Sequence, residues 1–376
     1  MRPGMRLLSH TRPRVEGLEY GRFFLPGPTE VHPDVLAAQT RAMISHRGSE
    51  IKALMRELQA GLEQVFLTER PVFIATSSAT GLMEAAVRNA GRTRILSLVN
   101  GAFSKRFAEI AVASGFEVDE IVVPWGEAHD PGVVTDALSW RPYDAVTMAH
   151  SETSTGVLND VRALAAAVRK FEDVLVLVDS VSGLAAAEIR PDDWGLDFLL
   201  TGSQKALALP PGIAFGVASE RMMERARVAP NRGYYFDLTD FQGNWEKHQS
   251  PSTPAVSGLF ALQVQLGRML EEGMPARWAR HAAMAEATHA WVAEMSAAGI
   301  PLEVVAPDGY RSPAVTAIRT GGKTGPDIVD RARELGFVIG GGYGRLKDST
   351  FRIGHMGDKT IDELVALLDV LGEVVV

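Results

Sequence analysis

Seven short apolar runs, separated by amphipathic stretches, constrain the fold of this chain more than any other feature. They fall at 72–76, 95–99, 118–123, 145–149, 174–178, 198–201 and 213–218. Short runs that are mostly apolar or β-branched suit the buried strands of a sheet. Helical patterns at 81–89, 104–114 and 161–171 lie between them. Buried strands joined through helices make crossover units, and such units build a mainly parallel sheet. The expectation is an α/β protein with a mainly parallel seven-stranded sheet.

Beyond about residue 253 the texture changes. Long Ala-, Leu- and Glu-rich helical patterns cover 255–272 and 275–298. A shorter α+β segment follows, with strands near 314–318 and 350–353 and helices near 326–335 and 360–371. The expected division is an N-terminal arm over 1–21, a large α/β domain over 22–255, and a linking helix with a smaller α+β domain over 256–376.

Composition removes several classes of function. Thirty-eight Lys and Arg against 46 Asp and Glu give the 376 residues a formal charge of −8. That balance speaks against bulk attraction to nucleic acid or anionic lipid, though not against one phosphate in a local pocket. The chain has no cysteine. Disulfides, thiolate metal sites, Fe–S clusters and cysteine nucleophiles are therefore excluded. No apolar run approaches the ~18 residues of a membrane span. Arg2, Arg6, Arg12 and Arg14 flank no apolar core of a secretory signal, and a cytoplasmic protein is expected. No G-x-G-x-x-G occurs, and Gly322-Lys323-Thr324 has Ala317 where a P-loop needs its first glycine. There is no H-E-x-x-H; His281 and His289 read as helix-surface residues, and no metal site is expected.

One pair of segments carries chemistry. The run at 174–178 ends on Asp179, and Thr201-Gly202-Ser203-Gln204-Lys205 closes the next strand. In an open α/β sheet, residues just past the C-terminal strand ends face the ligand crevice. Asp179 and Lys205 can be a structural ion pair, since structural and functional pairs look alike in sequence. The chemical alternative is a lysine amine that bonds an aldehyde cofactor while a carboxylate keeps a pyridine nitrogen protonated. Such a cofactor needs a phosphate cup. Thr76-Ser77-Ser78-Ala79-Thr80-Gly81, leading from strand into helix, offers either that or an ordinary Ser/Thr cap.

Together these segments resemble the class V aminotransferases of pyridoxal phosphate fold type I, the group of alanine–glyoxylate, serine–glyoxylate and phosphoserine aminotransferases. Matching segments run from Leu25-Pro26-Gly27-Pro28-Thr29 to Phe351-Arg352-Ile353-Gly354-His355-Met356-Gly357. The resemblance implies pyridoxal 5′-phosphate as cofactor, with Lys205 as its aldimine lysine and proton shuttle and Asp179 as partner of the ring nitrogen. It places Val181 and Phe103 against the ring faces and Thr153 at the ring hydroxyl. Ser78, Ala79, Thr80 and Gln204 resemble the phosphate-binding set.

The family shares its sites across a homodimer. Gln249-Ser250-Pro251-Ser252-Thr253-Pro254 resembles the loop that reaches the neighbour's phosphate, with Gln249, Ser252 and Thr253 as contacts. A proline-punctuated linker is the other reading of that loop, and Gln249 stands where some members have tyrosine. Arg352 resembles the residue that grips the substrate α-carboxylate, and Gly27 falls in the substrate-binding set.

The substrate divides the evidence. Ser45-His46-Arg47-Gly48 resembles a phosphoserine aminotransferase segment in which the His-Arg pair holds a second anionic group, and Arg345 can reinforce it. The same pair occurs in broader-specificity alanine–glyoxylate relatives, and a capping or interface pair is the bland alternative. The expected activity is transamination from alanine or serine to glyoxylate or pyruvate by a ping-pong scheme. Phosphoserine transamination comes second and a pyridoxal phosphate-dependent lyase third. A cysteine desulfurase is excluded by the absence of cysteine. A non-catalytic sensor and a cofactor-free protein with a structural Asp179–Lys205 pair complete the alternatives.

Overall fold

The computed structural model describes residues 19–376, so nearly all of the arm expected over 1–21 lies outside the described residues. Strands are numbered along the chain. The first are β1 (Phe23–Phe24), β2 (Val72–Ala75), β3 (Arg94–Val99), β4 (Glu117–Val122) and β5 (Ala145–Ala149). A hairpin of β6 (Ser151–Glu152) and β7 (Val157–Leu158) precedes β8 (Leu175–Asp179), β9 (Phe198–Gly202) and β10 (Ala214–Ala218). The last are β11 (Leu302–Val304), β12 (Val315–Thr320), β13 (Val338–Gly341) and β14 (Thr350–Gly354).

The seven apolar runs form one sheet in the order β2-β10-β9-β8-β5-β3-β4. Each observed strand end falls within one residue of the end read from the pattern. Within this sheet β10 is reversed, antiparallel to β2 and β9, and the other neighbours run parallel. Strands β5, β8 and β9 are buried at every residue. The strand period of two sends their side chains to opposite faces. Leu175, Leu177, Phe198 and Leu200 meet Leu82, Met83, Val87 and Phe107 from helices Ala79–Ala90 and Ala102–Ala113. Val176, Val178 and Leu199 join the other core, built with Leu58, Leu62 and Leu164 from helices Ser49–Phe66 and Val161–Val168. Each large side chain so buried stabilises the fold by about 1.5–3 kcal/mol.

Helix Val256–Glu272 packs into that second core through Leu259, Phe260, Leu262 and Leu266. A five-stranded sheet, β1-β13-β14-β12-β11, follows in the C-terminal part. Helices Met274–Ala297, Gly325–Glu334 and Ile361–Val375 cover it. The expected division places Phe23–Phe24 in the large domain, but β1 pairs in parallel with β13 of the small sheet. Phe24 is fully buried there among Phe337, Ile339 and Phe351. Two residues are too short to show a period, so only this packing reveals them as a strand.

His281 also departs from expectation. It is fully buried, with Nδ1 at 2.7 Å from the Arg277 carbonyl and Nε2 accepting from the Gly357 amide at 3.1 Å. Among the described residues no helix is long and apolar enough to cross a membrane.

Candidate active site

The C-terminal ends of β8 and β9 open onto a cavity of about 450 Å³. Lys205 sits at its wall, three residues past the end of β9. Its loop is held from both sides. Thr29 donates its backbone N–H to the Gln204 carbonyl at 2.9 Å and its hydroxyl to the Lys205 carbonyl at 3.0 Å. Ser203 donates its hydroxyl to the Pro210 carbonyl at 2.7 Å. The Lys205 amine donates to the Pro26 carbonyl. Gly27, at φ +115°, lies under the lysine chain, and a Cβ there would come within 2.6 Å of Cδ, Cε and Nζ. Glycine is thus required both for the backbone conformation and for the space.

Lys205 is only 9% exposed. Burial, with the nearby Arg352 charge, pulls its amine down to about 8, against the attraction of Asp179 and Glu152. A lysine so shifted is still mostly protonated at pH 7, but it holds a far larger nucleophilic free-amine fraction than an ordinary lysine.

Asp179, the last residue of β8, is buried and faces the same cavity. Its Oδ1 accepts from the Val181 amide at 2.8 Å, while among the described residues Oδ2 has no donor. Burial pushes its carboxyl up to about 7, which the Val181 hydrogen bond partly opposes. Lys205 points to Pro26 instead of to Asp179, so the two share a cavity without forming an ion pair. The structural-pair alternative therefore does not describe this site. A buried carboxylate with one unfilled oxygen suits a cationic N–H partner that the chain itself does not supply.

Val181 and Ser182 continue from Asp179 along the cavity wall. Thr153 stands opposite, its hydroxyl 2.5 Å from that of Ser182. On the third side, Ser78 is the N-cap of helix Ala79–Ala90 and makes no side-chain capping bond. Ser78, Ala79 and Thr80 of this first turn border the cavity with Gln204. An uncapped helix N-terminus lined by hydroxyls is a ready seat for a phosphate.

Phe103, one residue into helix Ala102–Ala113, lines the cavity and stacks on Tyr343 with ring centroids 5.2 Å apart. Arg352, on β14, reaches in from the small sheet. It donates Nη1 to the Thr153 carbonyl at 3.1 Å and Nε to the Gly341 carbonyl at 2.8 Å. Its guanidinium is buried, lies 5.5 Å from the Tyr343 ring centroid, and has no carboxylate partner among the described residues. Burial pulls it down to about 10.

Other expected residues lie elsewhere in this chain. Gln249 belongs to a separate region, and Ser252 and Thr253 line a different cavity of about 260 Å³ with Thr76 and Tyr235. Arg47 binds that loop, donating to Gln249 Oε1 at 3.2 Å and to the Ser250 and Pro251 carbonyls at 2.9 and 3.3 Å. His46 is half-buried beside it and does not line the Lys205 cavity. Arg345 is exposed, its guanidinium 5.8 Å from the Trp125 ring centroid.

Sequence reasoning missed Arg106, Ser182 and Tyr343. Arg106 follows Phe103 by one helical turn, so their shared face was readable from the i,i+3 spacing. It lines the cavity with no carboxylate partner among the described residues, lies 4.9 Å from the Phe103 ring centroid, and donates to the Tyr343 hydroxyl at 3.3 Å. Ser182 stands three residues after Asp179, whereas nothing local marks Tyr343.

A buried amine of lowered basicity, a buried carboxylate with a vacant oxygen and an uncapped helix N-terminus converge on one cavity at the strand ends. These groups fit pyridoxal 5′-phosphate, and the site and sheet define a pyridoxal phosphate-dependent enzyme of fold type I. The comparisons with known proteins are more specific. Residues 29–326 match the family described as Aminotransferase class-V. Over 92% of this chain and 91% of its own length, the soluble hydrogenase small subunit of Synechococcus sp. is 36% identical. Serine–glyoxylate aminotransferase of Arabidopsis thaliana is 31% identical over 92% of this chain and 87% of its own. The crystal structure of alanine–glyoxylate aminotransferase from Nostoc sp. superposes with a TM-score of 0.88 at 28% identity, covering 98% of this chain and all of that one. The chain belongs to the class V aminotransferase family, and it is a pyridoxal phosphate-dependent transaminase.

Proposed function

We propose that this transaminase moves an amino group from a small amino acid, alanine or serine, to a 2-oxo acid such as glyoxylate or pyruvate, in two alternating half-reactions. The observation that carries the reading is Arg352, a buried guanidinium bonded to two backbone carbonyls and, among the described residues, to no carboxylate, beside the Lys205 cavity. A substrate carboxylate would complete it with charge-assisted hydrogen bonds and fix the α-carbon relative to Lys205.

Pyridoxal phosphate, when bound, supplies the electron sink that lets the amino acid's α-proton leave. Lys205 Nζ would take the α-proton from the substrate and give it back on the return half-reaction. Asp179 Oδ2 would accept the hydrogen bond of a protonated ring nitrogen. Val181 and Phe103 would confine the ring, Thr153 would meet its hydroxyl, and Ser78, Ala79, Thr80 and Gln204 would hold the phosphate. Gly27 leaves room for the lysine to swing.

The two arginines expected to hold a second anionic group, Arg47 and Arg345, are engaged away from the cavity of their own chain. Arg345, exposed against Trp125, offers a second anionic group no pocket, which favours a small neutral donor over phosphoserine. Arg106 favours the second reading, in which the donor carries a further anion, as phosphoserine does; a lyase reaction is third. The hydrogenase name of one relative does not transfer to this chain, since iron–sulfur sites need cysteine thiolates and the sequence has none.

The same reading includes a homodimer in which Gln249, Ser252 and Thr253, with His46 and Arg47, complete the neighbour's site. Their separation from the Lys205 cavity of their own chain supports this. It also includes a division between a large and a small domain near residue 255, with Phe23–Phe24 joining the small one, and a cytoplasmic location.

The test is an absorption spectrum of the cofactor-loaded protein after separate additions of alanine, serine, aspartate, phosphoserine and glutamate. Conversion of the visible band to the pyridoxamine form by alanine or serine is expected. Conversion confined to the acidic donors would put the second reading first, and release of cleavage products without pyridoxamine would indicate a lyase.

A further inference from the structure

A buried carboxylate with no catalytic role assigned to it joins three walls of the site. Glu152 ends β6 and is wholly inaccessible to solvent. Five donors converge on its two oxygens. Oε2 accepts from the Phe103 amide at 3.1 Å, the Ser104 amide at 2.9 Å and the Ser104 hydroxyl at 2.9 Å. Oε1 accepts from the Ser154 amide at 3.1 Å and the Ser154 hydroxyl at 2.6 Å. No arginine or lysine pairs with it among the described residues.

The donors explain why this charge is tolerated. Helix Ala102–Ala113 starts from Gly101, which has no side chain to cap it. Its first amides are satisfied from outside, Phe103 and Ser104 by Glu152 and Ala102 by the Ser154 hydroxyl at 3.0 Å. The positive end of a helix stabilises an anion there. Gly101 is glycine because the carboxylate is packed onto its backbone; a Cβ would lie 2.3 Å from Glu152 Cγ.

What the carboxylate clamps is the site itself. The helix start carries Phe103. By accepting the Ser154 amide, Glu152 closes a turn over Thr153, whose carbonyl takes Arg352 Nη1 and whose hydroxyl meets Ser182. We propose that Glu152 is a positioning residue that locks the Phe103 wall, the Thr153 hydroxyl and the Arg352 guanidinium into one rigid arrangement, so that it governs binding of the amino donor as well as of the cofactor. This rests on the site reading proposed above.

Glu152→Gln keeps the size of the side chain but turns an NH₂ group toward donors. Three of those are backbone amides, which cannot reverse their role. For the cofactor-loaded protein, the expected result is a roughly tenfold or greater rise in the donor concentration that half-converts the visible band. The apoprotein should bind pyridoxal phosphate several-fold more weakly by titration, and the 102–104 amides should exchange hydrogen faster. A cap that served only stability would speed that exchange and lower the melting midpoint while leaving donor half-saturation of the loaded protein within about twofold of wild type. That outcome overturns the proposal.

Ser154→Ala removes one donor and keeps the carboxylate, so it answers the question even where the glutamine variant does not fold. It should raise donor half-saturation about threefold, and an unchanged value overturns the proposal as well. Failure of the underlying site reading has a different signature: Lys205→Ala would convert donors as wild type does.

Discussion

Asp179→Asn should make the apoprotein more stable at pH 8 while removing most of its activity. Burial pushes the native carboxyl up to about 7, from an ordinary value of 3.8. At pH 8 the group is ionised in both the folded and the unfolded chain, and the folded chain carries the full cost of desolvating it. That gap corresponds to roughly 4 kcal/mol at about 1.4 kcal/mol per pH unit. Asparagine keeps an oxygen for the Val181 amide and carries no charge, so a gain of about 2–4 kcal/mol is expected at pH 8.

The sign fixes the pH window. Between pH 4 and pH 7 the folded state binds the extra proton, so wild-type stability relative to the variant recovers as pH falls through 7. Only below about pH 4 is the carboxyl protonated in the unfolded chain as well, and there the pH-dependent difference disappears. Urea midpoints of both apoproteins, measured from pH 4.5 to 8.5, read this directly. Equal midpoints at pH 8, or a gap that does not narrow toward acid, would refute the claim that the site carries a costly buried anion. In the loaded enzyme the same variant should lose on the order of 10²–10³ in kcat, since a neutral amide cannot hold a proton at the ring nitrogen.

Three further outcomes are expected. Arg352→Ala loses charge-assisted bonds to the substrate, about 3 kcal/mol or roughly 100-fold in kcat/KM for donor and acceptor alike, with cofactor affinity unchanged by titration. Arg106→Gln should raise KM for aspartate or phosphoserine about tenfold while sparing alanine, if an acidic donor is used at all; equal effects on both would assign Arg106 to the site's general electrostatics. Mixing inactive Lys205→Ala dimers with inactive loop variants such as Ser252→Ala/Thr253→Ala should restore activity through heterodimers that hold one complete site, and mixtures that stay inactive would remove the shared-site reading.

Where local pattern was dense, the sequence was readable. Most strands of the large sheet are short, mainly apolar runs, because a strand covered by helices on both faces buries nearly every residue; the edge strand β4, with Glu117, Asp119 and Glu120, is the exception. Lys205 and Asp179 announced themselves by standing just past two such runs. Ser78, Ala79 and Thr80 carried the weaker signature of a helix start. Phe23–Phe24 had no period to display, and His281 looked like any helix residue until Gly357 was packed against it.

The sequence by itself determined the α/β sheet, the strand ends at which chemistry is placed and the absence of thiolate chemistry, since these follow from local apolar periodicity and residue type. Only the tertiary structure decided that Lys205 points to Pro26 and not to Asp179, that Tyr343 stands between the cavity-lining Arg106 and Arg352, and that Arg47 holds the 249–254 loop. It also decided that Glu152 caps a helix some 50 residues earlier in the chain. Such contacts are set by how distant segments pack, and the desolvation that shifts Lys205 and Asp179 exists only once that packing has excluded water.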